Sequence, residues 1–174
     1  GAARNWVLSK FKNYAKNADG RMEVFLNNET IQPDGKRINQ ATDLGNAIAI
    51  LHGTDPNDKR IFMIGGHLDS RVSDVMNAKD FAPGANDDGS GVGAVIESAR
   101  VLSQSKFPAT IIFVAFSGEE QGLLGAKMLA EKAKNENWQL EALLNNDMIG
   151  NNLSSETNLI NANQLRVFSE GLPQ

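Results

Sequence analysis

The chain has 174 residues, a formal net charge of −4 at pH 7 and 41% hydrophobic residues, which is enough apolar material for the core of one domain over residues 1–174. Its 17 lysines and arginines are scattered along the sequence, so the clustered positive charge of a nucleic-acid-binding protein is missing. Cysteine is absent, which excludes disulfides and thiolate metal sites, so any metal must be held by oxygen and imidazole, as suits zinc, manganese or cobalt.

The first half of the chain predicts one helix followed by a hairpin of two strands. Apolar residues at close to helical spacing predict a helix over residues 6–14. Strands are predicted over residues 22–26 and 47–51, and the polar segment between them contains the turn signal Pro33-Asp34-Gly35. We therefore expect these two strands to pair at one edge of a sheet.

The second half of the chain alternates strands and helices. The apolar run over residues 110–116 is typical of a central parallel strand. The predicted strands are residues 60–65, 110–116, 139–144 and 165–168, and the predicted helices are residues 90–103 and 121–134. This alternation predicts an α/β fold with a mixed, mostly parallel central sheet and helices on both faces.

Polar clusters follow three of the predicted strands and open one predicted helix. They are His67-Leu68-Asp69, Asp87-Asp88-Gly89, Glu119-Glu120 and Asp147. Because open α/β sheets bind ligands outside the carboxyl ends of their strands, we expect the four clusters to converge at one edge. Carboxylates crowded around one imidazole repel one another unless a cation neutralises them. The sequence therefore predicts a metal site, with two ions.

Each cluster has a simpler interpretation when it is taken alone. His67 and Asp69 could belong to an ordinary surface loop, and Asp88 or Ser90 could only cap a helix. The two glutamates could be first-turn residues that benefit from the helix dipole, and Asp147 could sit in a turn that ends a strand. Four such coincidences at one sheet edge are a weaker explanation than one shared metal site.

The residue types also indicate a division of roles within the site. Asp69 lies two residues after His67 and can reach the second ring nitrogen, which would fix the tautomer of the imidazole. Adjacent glutamates point in different directions. One of Glu119 and Glu120 can therefore bind a metal while the other takes a proton from a water molecule at the metal.

Four segments in register resemble peptidase family M28, the co-catalytic zinc aminopeptidases. They are residues 65–70 (GGHLDS), 83–91 (PGANDDGSG), 116–125 (FSGEEQGLLG) and 146–150 (NDMIG). The resemblance covers roughly residues 60–150. It implies the three-layer sandwich of the zinc exopeptidases and two zinc ions as cofactors.

The resemblance also implies the metal ligands. His67 and Asp147 would bind one zinc ion, and Asp87 would bridge both ions, so the first site is His67, Asp87 and Asp147. Glu120 would bind the second ion, so that Asp87 and Glu120 form the part of the second site that this sequence contains. The peptide bond that follows Asp87 would be cis.

Two further residues receive catalytic roles from the resemblance. Glu119 would be the general base that activates the attacking water, and Asp69 would orient His67. The family supplies one more histidine to its second ion late in the chain, whereas this sequence contains only His52 and His67, and His52 precedes the first motif. We therefore expect a C-terminally shortened part of a longer enzyme, with a weakened second site and little or no activity of its own.

The implied function is that of a zinc-dependent exopeptidase that removes N-terminal residues from peptide substrates. One alternative is a glutaminyl cyclase, which shares the fold and uses one zinc ion. A second is a di-zinc hydrolase of the M20 type, which tends to carry lysine and glycine where this chain has Asp88 and Gly89. A third is a binding module that kept the fold and lost the reaction.

The sequence also bears on the setting of the protein. No apolar run approaches the roughly 20 residues that a membrane span needs, and no signal peptide is visible. Members of the family are often secreted, so we expect a secreted, periplasmic or cell-envelope location. The pattern of residues gives no indication of the oligomeric state.

Overall fold

The computed structural model of the chain describes residues 1–153, 160, 162–163 and 167–168. Its elements are α1 (Ala2–Ala15), β1 (Met22–Ile31), β2 (Thr42–Leu51), β3 (Arg60–His67), α2 (Gly89–Leu102), β4 (Thr110–Phe116), α3 (Leu124–Asn135) and β5 (Gln139–Asn145). The strand predicted over residues 165–168 falls partly outside the described residues, and Val167 and Phe168 form no strand. None of the described helices has the length and apolarity that crossing a bilayer requires.

The five strands form one mixed sheet in the order β1-β2-β4-β3-β5. β1 and β2 form the predicted antiparallel hairpin at one edge, with Met22 opposite Leu51 and Ile31 opposite Thr42. β2 is antiparallel to β4, whereas β3 is parallel to both β4 and β5. The predicted parallel arrangement of the second half of the chain is therefore confirmed.

Helices cover both faces of the sheet because successive strand residues point to opposite sides. On one face, Phe11 of α1 and Val95 of α2 pack in a buried cluster with Phe113 of β4. On the other face, Leu129 of α3 packs with Ile112. These neighbours in β4 thus belong to different cores, and the predicted three-layer arrangement is confirmed.

Several elements are longer or start later than the sequence predicts. β1 continues to Ile31 through polar residues, because it is an edge strand whose Asn28, Glu29 and Thr30 can pair with β2 while their side chains stay at the surface. α3 begins at Leu124 and not at residue 121. The residues before it form a tight turn in which Leu123 has a φ of 61°.

The register brings the carboxyl ends of three strands to the same edge. His67 at the end of β3 lies opposite Phe116 at the end of β4, and Gly65 lies opposite Asn145 at the end of β5. Residue 88 caps the start of α2. His52, by contrast, follows β2 at the opposite end of the strands and faces Glu23, with 3.6 Å between its Nε2 and the carboxylate.

Candidate metal centre

Three of the predicted ligands come together at the carboxyl edge of the sheet. His67 Nε2 lies 3.1 Å from Oδ1 of Asp87 and 3.9 Å from Oδ1 of Asp147. One donor atom from each of the three residues falls within 4.8 Å of the others. The side chain of His67 is 4% exposed, whereas those of Asp87 and Asp147 are 45% and 43% exposed. The trio therefore opens to solvent on its acidic side.

This donor set fits one divalent metal ion. Ligand atoms that lie 2.0–2.1 Å from a tetrahedral zinc ion are separated from one another by about 3.3 Å. The separations of 3.1 and 3.9 Å from His67 Nε2 bracket that value. Among the described residues, one imidazole and two carboxylates supply three ligands, so a tetrahedral ion held by them would have a fourth position.

The ring of His67 is oriented through its other nitrogen. Nδ1 lies 3.0 Å from the backbone carbonyl oxygen of Asp69 and 4.0 Å from its carboxylate. The carbonyl is therefore the hydrogen-bond partner, and Nδ1 is the donor when Nε2 faces the other ligands. This corrects the predicted contact, which assigned the orientation of the ring to the Asp69 side chain.

The carboxylate of Asp69 binds a different segment of the site. Its Oδ1 accepts a hydrogen bond from the backbone N–H of Glu119 at 3.1 Å, and its Oδ2 accepts one from the N–H of Glu120 at 3.0 Å. One residue thus connects two of the sequence clusters, with its carbonyl on the imidazole and its side chain on the two glutamates.

A second aspartate connects the remaining clusters. Asp88 is 1% exposed, follows a cis peptide bond with Asp87, and accepts hydrogen bonds from three backbone N–H groups. The donors are His67 at 2.8 Å, Gly91 at 3.0 Å and Met148 at 3.3 Å. Sequence reasoning considered Asp88 only as a helix cap, which describes the bond from Gly91 and not the other two.

The glutamate pair is held at its base by a buried asparagine. Asn46 is completely buried in β2. Its Oδ1 accepts from the N–H of Ser117 at 3.0 Å, and its amide nitrogen donates to the carbonyl of Gly125 at 2.8 Å. Both ends of the segment that carries Glu119 and Glu120 are therefore fixed to the hairpin strand.

Glu120 does not belong to the metal-binding trio among the described residues. Its carboxylate accepts a hydrogen bond from Nε of Arg71 at 2.7 Å, and its backbone carbonyl accepts one from Arg37 at 2.7 Å. The Glu120 side chain is 14% exposed and that of Arg71 is 37% exposed. A cationic group already neutralises the residue that the resemblance implied for a second ion.

Burial, with a further contribution from neighbouring acidic groups, raises the pKa of two carboxyls. Burial raises the pKa of Glu119, the charge of His67 opposes the shift, and the charges of Glu120 and two aspartates add to it. Burial also raises the pKa of Asp147, with Asp88 as the next largest cause. Both groups would be relieved by a cation at the site, because a positive charge favours ionised carboxylates.

The imidazole shows the complementary effect. Burial by itself lowers the pKa of His67, but the negative charges of Asp69, Asp88 and Glu119 together raise it above its ordinary value. The site therefore attracts positive charge. Either a proton on His67 or a metal ion can supply that charge, and the two compete for the same nitrogen.

The chain also matches a known peptidase family. The sequence model of peptidase family M28 matches residues 46–170 of the chain, which includes all four clusters. The chain belongs to this family. A probable zinc metalloprotease of Pyricularia oryzae is 42% identical over 171 residues, which are 98% of this chain and 34% of that protein. The chain spans between a third and two fifths of the length of the curated relatives it matches first.

Two solved structures share the fold. The LapA aminopeptidase of Legionella pneumophila superposes with a TM-score of 0.63 at 28% identity, over 84% of this chain and 36% of that one. The glutaminyl cyclase of Porphyromonas gingivalis superposes with a TM-score of 0.65 at 24% identity, over 84% of this chain and 51% of that one. The second likeness shows the fold alone.

Three residues that matter to the M28 site were missed by sequence reasoning. The sequence did contain an indication for Asp88: a helix cap needs only one acidic residue, so a second one beside it indicates a further role. Asn46 also had such an indication, because it stands directly before the apolar run of residues 47–51. Arg71 follows the GGHLDS segment directly, but nothing in its surroundings in the sequence indicates a partner 49 residues away.

Proposed function

We propose that the protein is a zinc-dependent peptidase that removes N-terminal residues from peptides. The observation that supports this most is the convergence of His67, Asp87 and Asp147 donor atoms within 4.8 Å of one another. The partly buried Glu119 interacts electrostatically with His67 and Asp147. The names of the curated relatives support zinc as the metal. The likeness to the LapA aminopeptidase supports an exopeptidase.

The residues that would hold the first zinc ion are His67, Asp87 and Asp147. Asp87 and Glu120 would contribute ligands to a second ion. When it is bound, zinc supplies a Lewis acid that polarises the scissile carbonyl and makes a nearby water more acidic. The exposed sides of Asp87 and Asp147 leave that face open to a peptide. We therefore expect the substrate carbonyl to bind on the solvent side of the trio.

Glu119 would act as the general base. Its carboxyl group is partly buried and interacts electrostatically with His67 and Asp147 of the trio, so it lies where a group that must both accept and donate a proton is needed. It would take a proton from the attacking water and later deliver one to the leaving amine. The hydrogen bond from its backbone N–H to Asp69 fixes the segment that aims it.

Replacement of Glu119 tests this role. In the protein at its full natural length, Glu119→Gln keeps the size of the side chain but removes the base, so we expect kcat on aminoacyl-p-nitroanilides to fall by roughly 10²- to 10⁴-fold. Zinc content, measured by atomic absorption, should stay at the wild-type level. Glu131→Gln, on the exposed face of α3, is the matched control and should keep wild-type kcat.

The substrate panel separates the alternatives. Released free amino acid from unblocked peptides, and none from N-acetylated ones, would support the exopeptidase. Release of ammonia from peptides with N-terminal glutamine would support the cyclase instead. A protein at full natural length that binds no zinc and turns over neither substrate would contradict the proposal and favour a binding module.

A further inference from the structure

One buried carboxylate lies beneath every residue of the metal-binding trio. Asp88 is 1% exposed, and its hydrogen bonds within the described part of the chain come from backbone N–H groups on three separate segments. One donor is His67 itself, and another is Met148, the residue after Asp147. Asp87 is the covalent neighbour of Asp88. Each ligand is therefore tied to this carboxylate directly or through one peptide unit.

Helix capping does not explain this arrangement. A capping carboxylate needs one hydrogen bond to the first turn, and the N–H of Gly91 provides it at 3.0 Å. The bonds from His67 at 2.8 Å and from Met148 at 3.3 Å reach residues 21 and 60 positions away in the chain. They contribute nothing to the helix and join the ends of β3 and β5 instead.

The backbone approaches the Asp88 carboxylate closely. A Cβ atom built on Gly66 would lie 3.1 Å from Oδ2 of Asp88, and one built on Gly91 would lie 2.5 Å from Oδ1. The two glycines thus make room for this side chain. Because Asp88 is 1% exposed, the three backbone groups that it binds cannot move apart without breaking a buried hydrogen bond.

The ligand side chains need such a support. Those of Asp87 and Asp147 are 45% and 43% exposed, so solvent and not packing surrounds much of each carboxylate. Their spacing must then be set from the backbone side. We propose that Asp88 is a positioning residue that fixes the separation of His67, Asp87 and Asp147 and thereby sets the affinity of the site for zinc. This inference rests on the proposed zinc site and adds to it the residue that holds it together.

Two substitutions separate positioning from capping, both made in the protein at its full natural length. Asp88→Asn keeps the size but turns one oxygen into an N–H donor, which must face a backbone N–H. Asp88→Ser keeps a good helix cap for Gly91 and is too short to bind the other two donors. We expect both variants to lose roughly 10- to 100-fold in zinc affinity, measured by competition with a chromogenic chelator.

Asp34→Asn is the matched control. The Asp34 carboxylate also accepts three backbone N–H groups, from residues 36, 37 and 38 at 2.8 Å each, but all of them lie in its own turn. This variant should bind zinc like the wild type. With cobalt in place of zinc, the absorption bands of the metal should shift in the two Asp88 variants and not in Asp34→Asn, because these bands report ligand geometry.

The zinc affinity and the folding of the Asp88 variants test the positioning role. Wild-type zinc affinity in Asp88→Ser, with circular dichroism showing a folded protein, would overturn it. Failure of both Asp88 variants to fold would also overturn it, since Asp88 would then support the fold and not the spacing of the ligands. If the wild-type protein binds no more zinc than His67→Ala, which lacks a proposed ligand, the proposed function itself is contradicted.

Discussion

Arg71 holds the carboxylate of Glu120 at 2.7 Å, although Glu120 is the residue proposed for a second zinc ion. An ion and a guanidinium compete for the same oxygens. We therefore expect Arg71→Ala to bind a second zinc ion more tightly by about fivefold, or roughly 1 kcal/mol, since Arg71 is partly exposed and its ion pair is screened by water. Calorimetric titration of zinc resolves the second binding step.

The matched control for this prediction is Arg37→Ala. Arg37 carries the same charge and binds the same residue, but it donates to the backbone carbonyl of Glu120 and not to the carboxylate. It should leave the second binding step unchanged. An equal gain in both variants would mean that general charge, and not competition at Glu120, sets the affinity.

The split role of Asp69 leads to a second prediction. Asp69→Asn removes one of the two acceptor oxygens that hold Glu119 and Glu120, yet it keeps the backbone carbonyl that binds His67. We expect the free energy of unfolding to fall by about 1–3 kcal/mol and kcat to fall by about tenfold or more. Zinc affinity should change by less than about threefold.

The neighbouring substitution Ser70→Ala provides the control, because Ser70 binds the carbonyl of Ala82 and neither glutamate. A large loss of zinc affinity in Asp69→Asn, together with a wild-type kcat when the variant is saturated with zinc, would contradict this prediction. It would support the originally predicted contact between the Asp69 side chain and the imidazole. Steady-state kinetics and chelator competition on the same preparations distinguish the two.

Two glycines near the start of α2 should respond oppositely to alanine. A Cβ at Gly91 would lie 2.1 Å from the carbonyl oxygen of Asn146, whereas a Cβ at Gly93 would meet nothing within 4 Å. Gly93→Ala should raise the free energy of unfolding by about 0.5–1 kcal/mol through helix propensity. Gly91→Ala should lower it by about 1–3 kcal/mol through overpacking.

Urea unfolding followed by circular dichroism gives both values. Stabilisation by Gly91→Ala would show that α2 does not approach the loop after β5 as closely as described. It would also weaken the placement of Asp147, whose loop is the neighbour that Gly91 accommodates.

The raised pKa values predict an unusual dependence of stability on pH in zinc-free protein. His67, Glu119 and Asp147 all have a higher pKa in the folded state than their ordinary values. At a pH between the ordinary pKa and the folded-state pKa of a group, the folded chain binds more protons than the unfolded chain. The contribution of each group to the free energy of unfolding is therefore present below its ordinary pKa and is lost as the pH rises through its folded-state pKa.

We therefore expect the melting temperature of zinc-free protein to fall as the pH rises above 6.5, the ordinary value for His67. Added zinc should reverse the slope, because its ligands must be deprotonated and its stabilising effect grows with pH. Thermal scans at several pH values, with and without zinc, measure both slopes. Parallel slopes would contradict the prediction.

Much of this architecture could be predicted from the sequence. The apolar runs over residues 60–65, 110–116 and 139–144 gave three parallel strands, and the positions where they end placed His67 and Asp147 at one edge. These inferences succeed because hydrophobic period and strand direction are local properties. The location of the protein outside the cell or in its envelope, and the activity on peptides, stay predictions.

The details that sequence reasoning missed depend on contacts between distant segments. Nothing local distinguishes the carbonyl of Asp69 from its carboxylate as the partner of His67. Likewise, the pairing of Arg71 with Glu120 joins residues 49 positions apart. The delayed start of α3 has a local cause, the left-handed conformation of Leu123. Leucine rarely adopts this conformation, so its presence in the sequence does not predict the turn.

The double attachment of Asp69 has a mechanical consequence. Its backbone carbonyl lies 3.0 Å from Nδ1 of His67, while its carboxylate accepts hydrogen bonds from the N–H groups of Glu119 and Glu120. A displacement of the imidazole that moves Asp69 therefore also pulls on the segment that carries the two glutamates. Loading of the ion and alignment of the proposed base should then be correlated motions, and a spectroscopic probe on either segment should report on both.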